Sequence, residues 1–243
     1  MIPPDHPRYR SLVVRERLAD CAKTGVVAWE GLTAHGRGEA FDYLIGERTT
    51  ESALLAERTA AAMLRSARHP VISVNGNTAA LAAAGIAELQ CACGALVEVN
   101  LFHRTEDRVR QIEALLRDAG AEVFSGPAER LLPLPHDRAW CRRDGMYSAD
   151  VVLVPLEDGD RCEVLVAMGK QVIAIDLNPL SRTARTATLT IVDEVTRALP
   201  VITGACKELS QRDIRHFLQT LDNHYLLSEA IREMSARLDH ALD

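Results

Sequence analysis

Two short polar segments, each directly after an apolar run, hold side chains that can bind phosphate and metal ions. Asp158 and Asp160 follow the run V-V-L-V that begins at Val151, and the segment D-L-N-P-L-S-R-T, from Asp176 to Thr183, follows V-I-A-I. Arginine pairs with phosphate oxygens, carboxylates can hold Mg²⁺ partly through water, and asparagine can hydrogen-bond a ribose or a base. These segments predict a site for a nucleoside triphosphate and an anionic substrate.

Similar side chains follow other apolar runs. They are the carboxamides of Asn75, Asn77 and Asn100, the basic residues His103 and Arg104, and the acids Asp193 and Glu194. Because the carboxyl ends of neighbouring parallel strands face one crevice, we expect these segments to line a common site. Asn77 or Thr78 could instead cap the helix that follows, and both roles can coexist.

The segment from Gly31 to Thr49 has the composition of a phosphate site. Gly36 and Gly38 flank Arg37, and His35 comes just before them, so the backbone could approach a ligand that the arginine grips. No G-K-[ST] follows, so it is not a Walker A loop, and a flexible turn is the alternative interpretation. Arg15, on an amphipathic helix predicted from Arg8 to Lys23, is either a further anion ligand or a solvated residue.

The order of apolar runs predicts the elements that position these residues. Strands are expected near Val71, Leu96, Glu122, Val151, Val172 and Leu189, separated by helices or crossovers. This alternation is typical of an α/β fold with a mostly parallel, doubly wound sheet. We expect a single α/β domain over 1–243, with an N-terminal helical layer (1–68), a core (69–200) and C-terminal helices (201–243) near 211–220 and 226–242.

The proline-containing segment 126–146 has no regular hydrophobic period, which predicts a long ordered loop or lid. His136 and Arg138 within it could meet a substrate or only coat the surface.

Composition limits the classes of function. The 243 residues carry a net charge of −6, only 4% are aromatic, and the arginines are scattered among acids, which disfavours nucleic acid as a partner. The chain lacks a signal-like start and a long apolar run, so we expect no membrane contact and a cytoplasmic protein. The six widely spaced cysteines are expected to be reduced thiols.

Several longer runs closely resemble the archaeal 4-phosphopantoate–β-alanine ligase family, also called phosphopantothenate synthetase. They are H-P-R-Y from His6, G-L-T-A-H-G-R-G-E-A-F-D-Y-L-I-G-E-R-T from Gly31, H-P-V-I-S-V-N-G-N-T-A-A-L from His69, E-V-N-L-F-H-R-T from Glu98, A-D-V-V-L-V-P-L-E-D-G-D-R from Ala149 and I-D-L-N-P-L-S-R-T-A from Ile175. The resemblance extends from about His6 to Pro200. It implies a Rossmann-like homodimer that serves coenzyme A biosynthesis by condensing 4-phosphopantoate with β-alanine, with ATP cleaved to AMP and diphosphate.

The resemblance also implies which residues contact ATP. These are Arg15, Arg37, Asp176, Leu177, Asn178, Arg182, Thr183, Glu194 and Val195. One position departs from the family, which typically reads I-V-D-N where this chain reads I-V-D-E. Glu194 lacks the amide donor of an asparagine, so its contact is expected to use the backbone or the metal.

The implied mechanism passes through an acyl adenylate, which the amine of β-alanine then attacks. Arg15, Arg37 and Arg182 are expected to neutralise phosphates, and Asp158 or Asp160 to hold Mg²⁺ or the amine. His35, His103 and Arg104 are candidates for the 4-phosphate or for proton transfer, although each histidine could serve only as a hydrogen-bonding partner. Asn75, Asn77, Asn100 and Arg104 are candidate substrate ligands, and no metal ligand set is assigned.

Two other classes stay open at this point. A nucleotide-binding regulatory module would bind ATP without forming product. A nicotinamide-dependent reductase would need a G-x-G-x-x-G fingerprint after the first strand, which the chain lacks.

Overall fold

A five-stranded parallel sheet forms the centre of the molecule. The computed structural model describes residues 2–156 and 158–241, so Leu242, the predicted end of the last helix, lies outside the described residues. The strands are β1 (Pro70–Val74), β2 (Leu96–Val99), β5 (Val151–Pro155), β6 (Gln171–Ile175) and β7 (Leu189–Ile191), in the order β2-β1-β5-β6-β7. A separate antiparallel pair consists of β3 (Glu129–Arg130) and β4 (Trp140–Cys141). The predicted α/β, Rossmann-like, doubly wound fold is confirmed.

Helices cover both faces of the sheet. In chain order they are α1 (Tyr9–Lys23), α2 (Trp29–Ile45), α3 (Glu51–Ser66), α4 (Gly76–Cys93), α5 (Glu106–Asp118), α6 (Gly159–Ala167), α7 (Arg182–Thr186), α8 (Val195–Glu208), α9 (Gln211–Gln219) and α10 (Asn223–Asp239). Within the described residues, no helix is both long and apolar enough to cross a membrane.

Alternation along the strands fills two hydrophobic cores. In β5, Leu153 joins the core that α3, α4 and α8 cover, whereas Val152 and Val154 join the core built with α6 and segment 131–149. Because successive strand side chains point to opposite faces, one run of valines and leucines serves both cores. Segment 131–149 packs Leu132, Leu134 and Met146 into the second core, so it is an ordered cover of the sheet.

The strand predicted near Glu122 does not form a ladder with the sheet. The segment makes only one parallel bridge, between Val97 and Val123, together with a hydrogen bond from Phe124 N to Val97 O of 2.8 Å. Gly126 follows with φ of +140°, and Pro127 comes next. The chain therefore turns away before a ladder can form.

The glycine-containing segment around Arg37 is helical, not a loop. Gly31, Gly36 and Gly38 all lie inside α2. Its backbone N–H groups are therefore engaged along the helix and are not free to bind a ligand as those of a loop would be. Gly31 serves a different contact, because a Cβ there would lie 2.3 Å from Oδ1 of Asn77. Helix α2 therefore faces the site with the side chains of His35 and Arg37 and with its backbone at Gly31 and Gly38.

Helix α8 is an element that the sequence interpretation missed. It contains Pro200, where the predicted core ended, and it packs Ala198, Leu199 and Ile202 into the larger core. Proline within a helix removes a backbone hydrogen bond, so Pro200 favoured a boundary between elements at this position. In the structure the helix continues through it. The predicted boundary at residue 200 therefore falls inside a helix.

A buried charged cluster joins α2 and α3 to the end of β7. Arg197 donates through Nε to Asp193 Oδ1 at 2.8 Å and through Nη1 to Asp42 Oδ2 at 3.1 Å. Thr49 Oγ1 donates to Asp193 Oδ2 at 2.6 Å. Glu57, which is 0% exposed, lies beside Asp193. One arginine thus balances two carboxylates, and a third carboxyl group is stable there only while it is neutral.

The protonation of Glu57 predicts how stability changes with pH. Burial, followed by the charge of Asp193, raises the pKa of Glu57 from 4.5 to about 9. The folded protein then keeps a proton that the unfolded chain releases, so this contribution is complete below about pH 4.5 and is lost as the pH rises toward about 9. Glu57→Gln, which cannot ionise, is expected to be more stable than the native protein at about pH 8 in denaturant unfolding. Parallel pH dependences of the two proteins would contradict this expectation.

Candidate active site

A crevice of about 700 Å³ opens at the carboxyl ends of β1, β2, β5 and β6. Side chains from four loops and from helix α2 line it. The polar and charged ones are Glu30, His35, Arg37, Asn75, Asn77, His103, Arg108, Arg138, Asp158, Asp176, Asn178, Ser181, Arg182 and Thr183. Most of the predicted site residues therefore meet in one place, as the strand order requires.

Helix α2 forms one wall of the crevice and presents His35 and Arg37. Burial lowers the pKa of His35, and the nearby carboxylate of Glu39 partly offsets that effect. A neutral imidazole there can accept a proton or a hydrogen bond. Arg37 is exposed on the crevice side, where its charge acts on Asp176 across the cleft. This wall therefore presents two groups to a bound anion, the permanently charged guanidinium of Arg37 and the neutral imidazole of His35.

Arg15 lies behind this wall and does not line the crevice. Its Nε donates to both carboxylate oxygens of Glu39 at 3.0 Å, and its Nη2 lies 2.9 Å from Oε1. Ser11 Oγ donates to the same carboxylate at 2.6 Å. In this structure Arg15 therefore holds α1 against α2, and a nucleotide could reach it only by replacing Glu39 as its partner.

The loop after β6 forms the opposite wall. Asp176 accepts a hydrogen bond from Asn178 N at 2.9 Å and another from Ser181 Oγ. Asn178 Oδ1 accepts from Leu180 N at 2.9 Å, and Ser181 caps α7. Burial raises the pKa of Asp176, while Ser181, Asn178 and the charge of Arg37 act in the opposite direction. The loop is thus built by its own side chains, with Leu177 and Thr183 anchored in the protein.

Asn75 and Asn77 fix the junction between β1 and α4. Asn75 Oδ1 caps α4 by accepting from Thr78 N at 3.0 Å, and its Nδ2 donates to Pro155 O and Leu156 O. Asn77 Nδ2 donates to Gly31 O at 2.8 Å. The helix cap is Asn75, so the sequence-based choice of Asn77 or Thr78 as the cap was wrong. Both carboxamides therefore line the crevice and hold the backbone around it in place.

Gly76 lies between these two residues and admits no side chain. A Cβ at this position would lie 2.1 Å from the backbone oxygen of Val26. Gly76→Ala is expected to lower the free energy of unfolding by about 1–3 kcal/mol, because backbone must shift to relieve the overlap. Thermal unfolding measures the loss. The matched control is Gly36→Ala, where a Cβ meets open space, so the free energy of unfolding should stay the same or rise. Gly94→Ala is not a suitable control, because the positive φ of Gly94 would add backbone strain.

Asp158 and Asp160 lie at the start of α6, each beside an arginine. Asp158 Oδ1 caps the helix by accepting from Arg161 N at 3.1 Å, and its Oδ2 lies 2.7 Å from Nε of Arg138. Asp160 forms an ion pair with Arg182, whose Nε also lies 3.3 Å from Glu163. Arg182, a predicted phosphate ligand, therefore forms ion pairs with carboxylates at the edge of the crevice.

One group in the described residues has spacing compatible with a metal ion. His136, Asp158 and Asp160 place one ligand atom each within 4.8 Å of one another. The group does not fit a resident Mg²⁺, since that ion favours oxygen ligands and one of the three is an imidazole. Both carboxylates also pair with arginines already. We assign no metal to these residues.

Three further predicted residues lie away from the crevice. Asn100 is buried, and its Nδ2 donates to Trp140 O at 2.8 Å. Arg104 pairs with Glu106 at 3.2 Å, while its backbone N donates to Asp137 at 3.0 Å. Val195 is buried in the first turn of α8. Asn100 and Arg104 thus hold segment 136–140 in place rather than facing the open cleft.

Glu194, the position that departs from the family, caps helix α8. Its carboxylate accepts a hydrogen bond from Thr196 N at 2.8 Å and another from Thr196 Oγ1. Burial raises its pKa, and the two Thr196 donors and Arg197 act against that change. An asparagine side chain can make the same cap, so the substitution preserves the helix start.

Two crevice arginines had no assigned role in the sequence-based site. Arg138, left undecided above, reaches the cleft and donates through Nη1 to Asn100 O at 3.2 Å. Arg108 was not recognised at all, and its guanidinium donates to the carbonyls of Gly25 at 3.0 Å and Val26 at 3.2 Å and to that of His103. Nothing in the helical pattern of α5 marks Arg108, because its partners are more than 80 residues away in sequence or in a loop.

The sequence matches a family model and is similar to several known proteins. The family model described as phosphopantothenate/pantothenate synthetase matches residues 52–237. The chain is 59% identical over 243 residues to a protein of Methanospirillum hungatei named 4-phosphopantoate–β-alanine ligase, with 100% of both chains covered. Proteins of the same name from Methanosarcina mazei and Thermococcus kodakarensis are 54% and 49% identical, covering 98% of this chain and 95% and 93% of theirs.

Proposed function

The chain belongs to the phosphopantothenate/pantothenate synthetase family, and from this premise we propose that its crevice condenses 4-phosphopantoate with β-alanine. Cleavage of ATP to AMP and diphosphate drives the condensation. The product is 4′-phosphopantothenate, a precursor of coenzyme A. The observation that carries the proposal is identity of 49–59% over nearly the full length to relatives named for this reaction.

The crevice supports this reaction because cations from several elements converge on it. Arg37 from α2 faces the loop that holds Asp176, Leu177 and Asn178, with Arg182 and Thr183 at its end. We assign the nucleotide to this half. ATP enters as its magnesium complex, so the metal arrives with the substrate.

The first chemical step needs charge neutralisation more than acid–base chemistry. The carboxylate of 4-phosphopantoate attacks the α-phosphorus of ATP, and diphosphate leaves. Both reactants are anions, so Arg37 and Arg182 are assigned to the phosphates, where they oppose repulsion and the developing charge. Fixing the two substrates side by side supplies much of the remaining acceleration. The amine then attacks the acyl adenylate.

The experiment measures AMP and diphosphate from purified protein, ATP, Mg²⁺, 4-phosphopantoate and β-alanine, with each acid or amine omitted in turn. AMP formation that needs both substrates is expected. ADP formation would point to a kinase-like transfer. ATP binding without any product would favour the second candidate, a non-catalytic nucleotide-binding regulatory module, and would overturn the ligase.

We also propose that the protein acts as a homodimer in the cytoplasm, where ATP is available. Three large apolar side chains, Trp29, Tyr43 and Leu180, are 71%, 62% and 61% exposed, which supports a second copy as their cover. Light scattering that gives the mass of one chain at all concentrations would rule out the dimer.

A further inference from the structure

We propose that His136, Asp158 and Asp160 form the site for the amine of β-alanine, with His136 as the acceptor of its proton. The inference rests on the proposed ligase function. It names the subsite and the base for the second half of that reaction.

The position and the unused donors and acceptors of His136 are the first observation. Its ring stacks on Phe102, with centroids 4.5 Å apart and planes at 24°, and Phe102 lines the crevice. Both ring nitrogens are inaccessible to water, and neither has a hydrogen-bond partner among the described residues. Buried ring nitrogens without a partner are costly. One ring nitrogen lies with the carboxylates of Asp158 and Asp160 in a single group.

The spacing of that group suits a primary ammonium. Three N–H donors of an ammonium reach acceptors at about 2.9 Å in tetrahedral directions, so the acceptors lie about 4.7 Å apart. The three ligand atoms here all lie within 4.8 Å of one another, so one ammonium can reach all three.

The carboxylates of this group favour a cationic ligand. Among the described residues, Asp158 pairs with Arg138 and Asp160 with Arg182. Each carboxylate has about four lone-pair positions, so it can accept from an ammonium while it keeps its arginine.

The chemistry requires a base at this point. β-Alanine arrives as an ammonium, which has no lone pair. One proton passes from its nitrogen to a ring nitrogen of His136, which becomes an imidazolium beside Asp158 and Asp160. The freed lone pair forms the C–N bond while the bond from the acyl carbon to the adenylate oxygen breaks, and AMP leaves with that electron pair. The remaining surplus proton on nitrogen passes to water.

The test separates the two halves of the reaction in His136→Gln. Exchange of labelled diphosphate into ATP with 4-phosphopantoate, without β-alanine, reports adenylate formation and should match the native protein. Amide formation from β-alanine should fall about 10²–10⁴-fold at neutral pH. Hydroxylamine, which is largely unprotonated at neutral pH, should trap the adenylate at the native rate. The deficit with β-alanine should shrink as the pH rises.

Controls make each outcome decisive. His224→Gln, on the exposed start of α10, should behave as the native protein in every assay. Asp160→Asn tests the site independently of His136 and should raise KM for β-alanine more than it slows diphosphate exchange, which it affects through the ion pair of Asp160 with Arg182. Normal amide formation by His136→Gln at every pH would overturn the inference, as would loss of exchange in that variant. Mn²⁺ bound to native protein without ATP, and lost in His136→Gln by electron paramagnetic resonance, would also overturn it. Absence of AMP formation by the native protein with ATP, 4-phosphopantoate and β-alanine together would instead refute the ligase itself.

Discussion

Arg37→Ala is expected to lower kcat/KM for ATP about 10²–10³-fold, the usual cost of removing one group that stabilises transition-state charge. Arg37 projects from α2 into the crevice and faces Asp176 across it. It is the one arginine that α2 contributes to the lining, so no neighbour on that wall replaces its charge. Steady-state kinetics with saturating 4-phosphopantoate and β-alanine measure the effect.

The fold of Arg37→Ala should be unchanged, because Arg37 is exposed. Arg212→Ala, on the exposed first turn of α9, is the matched control and should keep native activity. Arg37→Lys should retain part of the rate, since lysine keeps the charge but not the bidentate geometry. Native activity in Arg37→Ala would remove this residue from the phosphate site.

Arg197→Leu is expected to have the largest effect on stability, a loss of about 3–5 kcal/mol. The change leaves the carboxylates of Asp42 and Asp193 buried without their shared cation, next to Glu57. For a chain of this length, we expect the melting temperature to fall by about 6–20 °C. Denaturant and thermal unfolding measure both quantities.

An exposed ion pair provides the comparison for this result. Arg232→Leu breaks the pair with Glu229, and Arg232 is 73% exposed, so the loss should stay below about 1 kcal/mol. Adding Asp42→Asn to Arg197→Leu should recover part of the loss by removing one of the stranded charges. A similar small effect in Arg197→Leu and Arg232→Leu would contradict the importance of the buried cluster.

The central strands were predictable because they are buried on both faces. Continuous apolar runs such as V-V-L-V before Pro155 leave few alternatives to a parallel strand. The same reasoning placed Asp158, Asp176 and Asn178 together, since the strand ends decide where their loops lie. Local signals failed at Pro200 and at the glycines of α2, because tertiary packing outweighs helix propensity there.

The precise roles of site residues could not be read from local sequence. Asn100 donates to a carbonyl 40 residues away, and Arg15 pairs with a carboxylate 24 residues away. Both residues have the right chemistry for a ligand, and long-range packing gives each of them a protein partner in this structure. The buried imidazole of His136 was equally hidden, since its stacking partner Phe102 comes from a different loop.

The glycines of α2 have a consequence for motion. Each glycine weakens a helix by about 0.5–1 kcal/mol relative to alanine, so three in one helix leave it poorly ordered by its own propensity. Contacts from outside hold it: Arg15 on Glu39, Asn77 on Gly31 and Arg197 on Asp42. Local opening of α2 should therefore be more frequent than opening of α3, and its amides should exchange with deuterium sooner. Nucleotide binding to Arg37 should slow that exchange, so part of the intrinsic affinity for ATP is used to order the helix that recognises it.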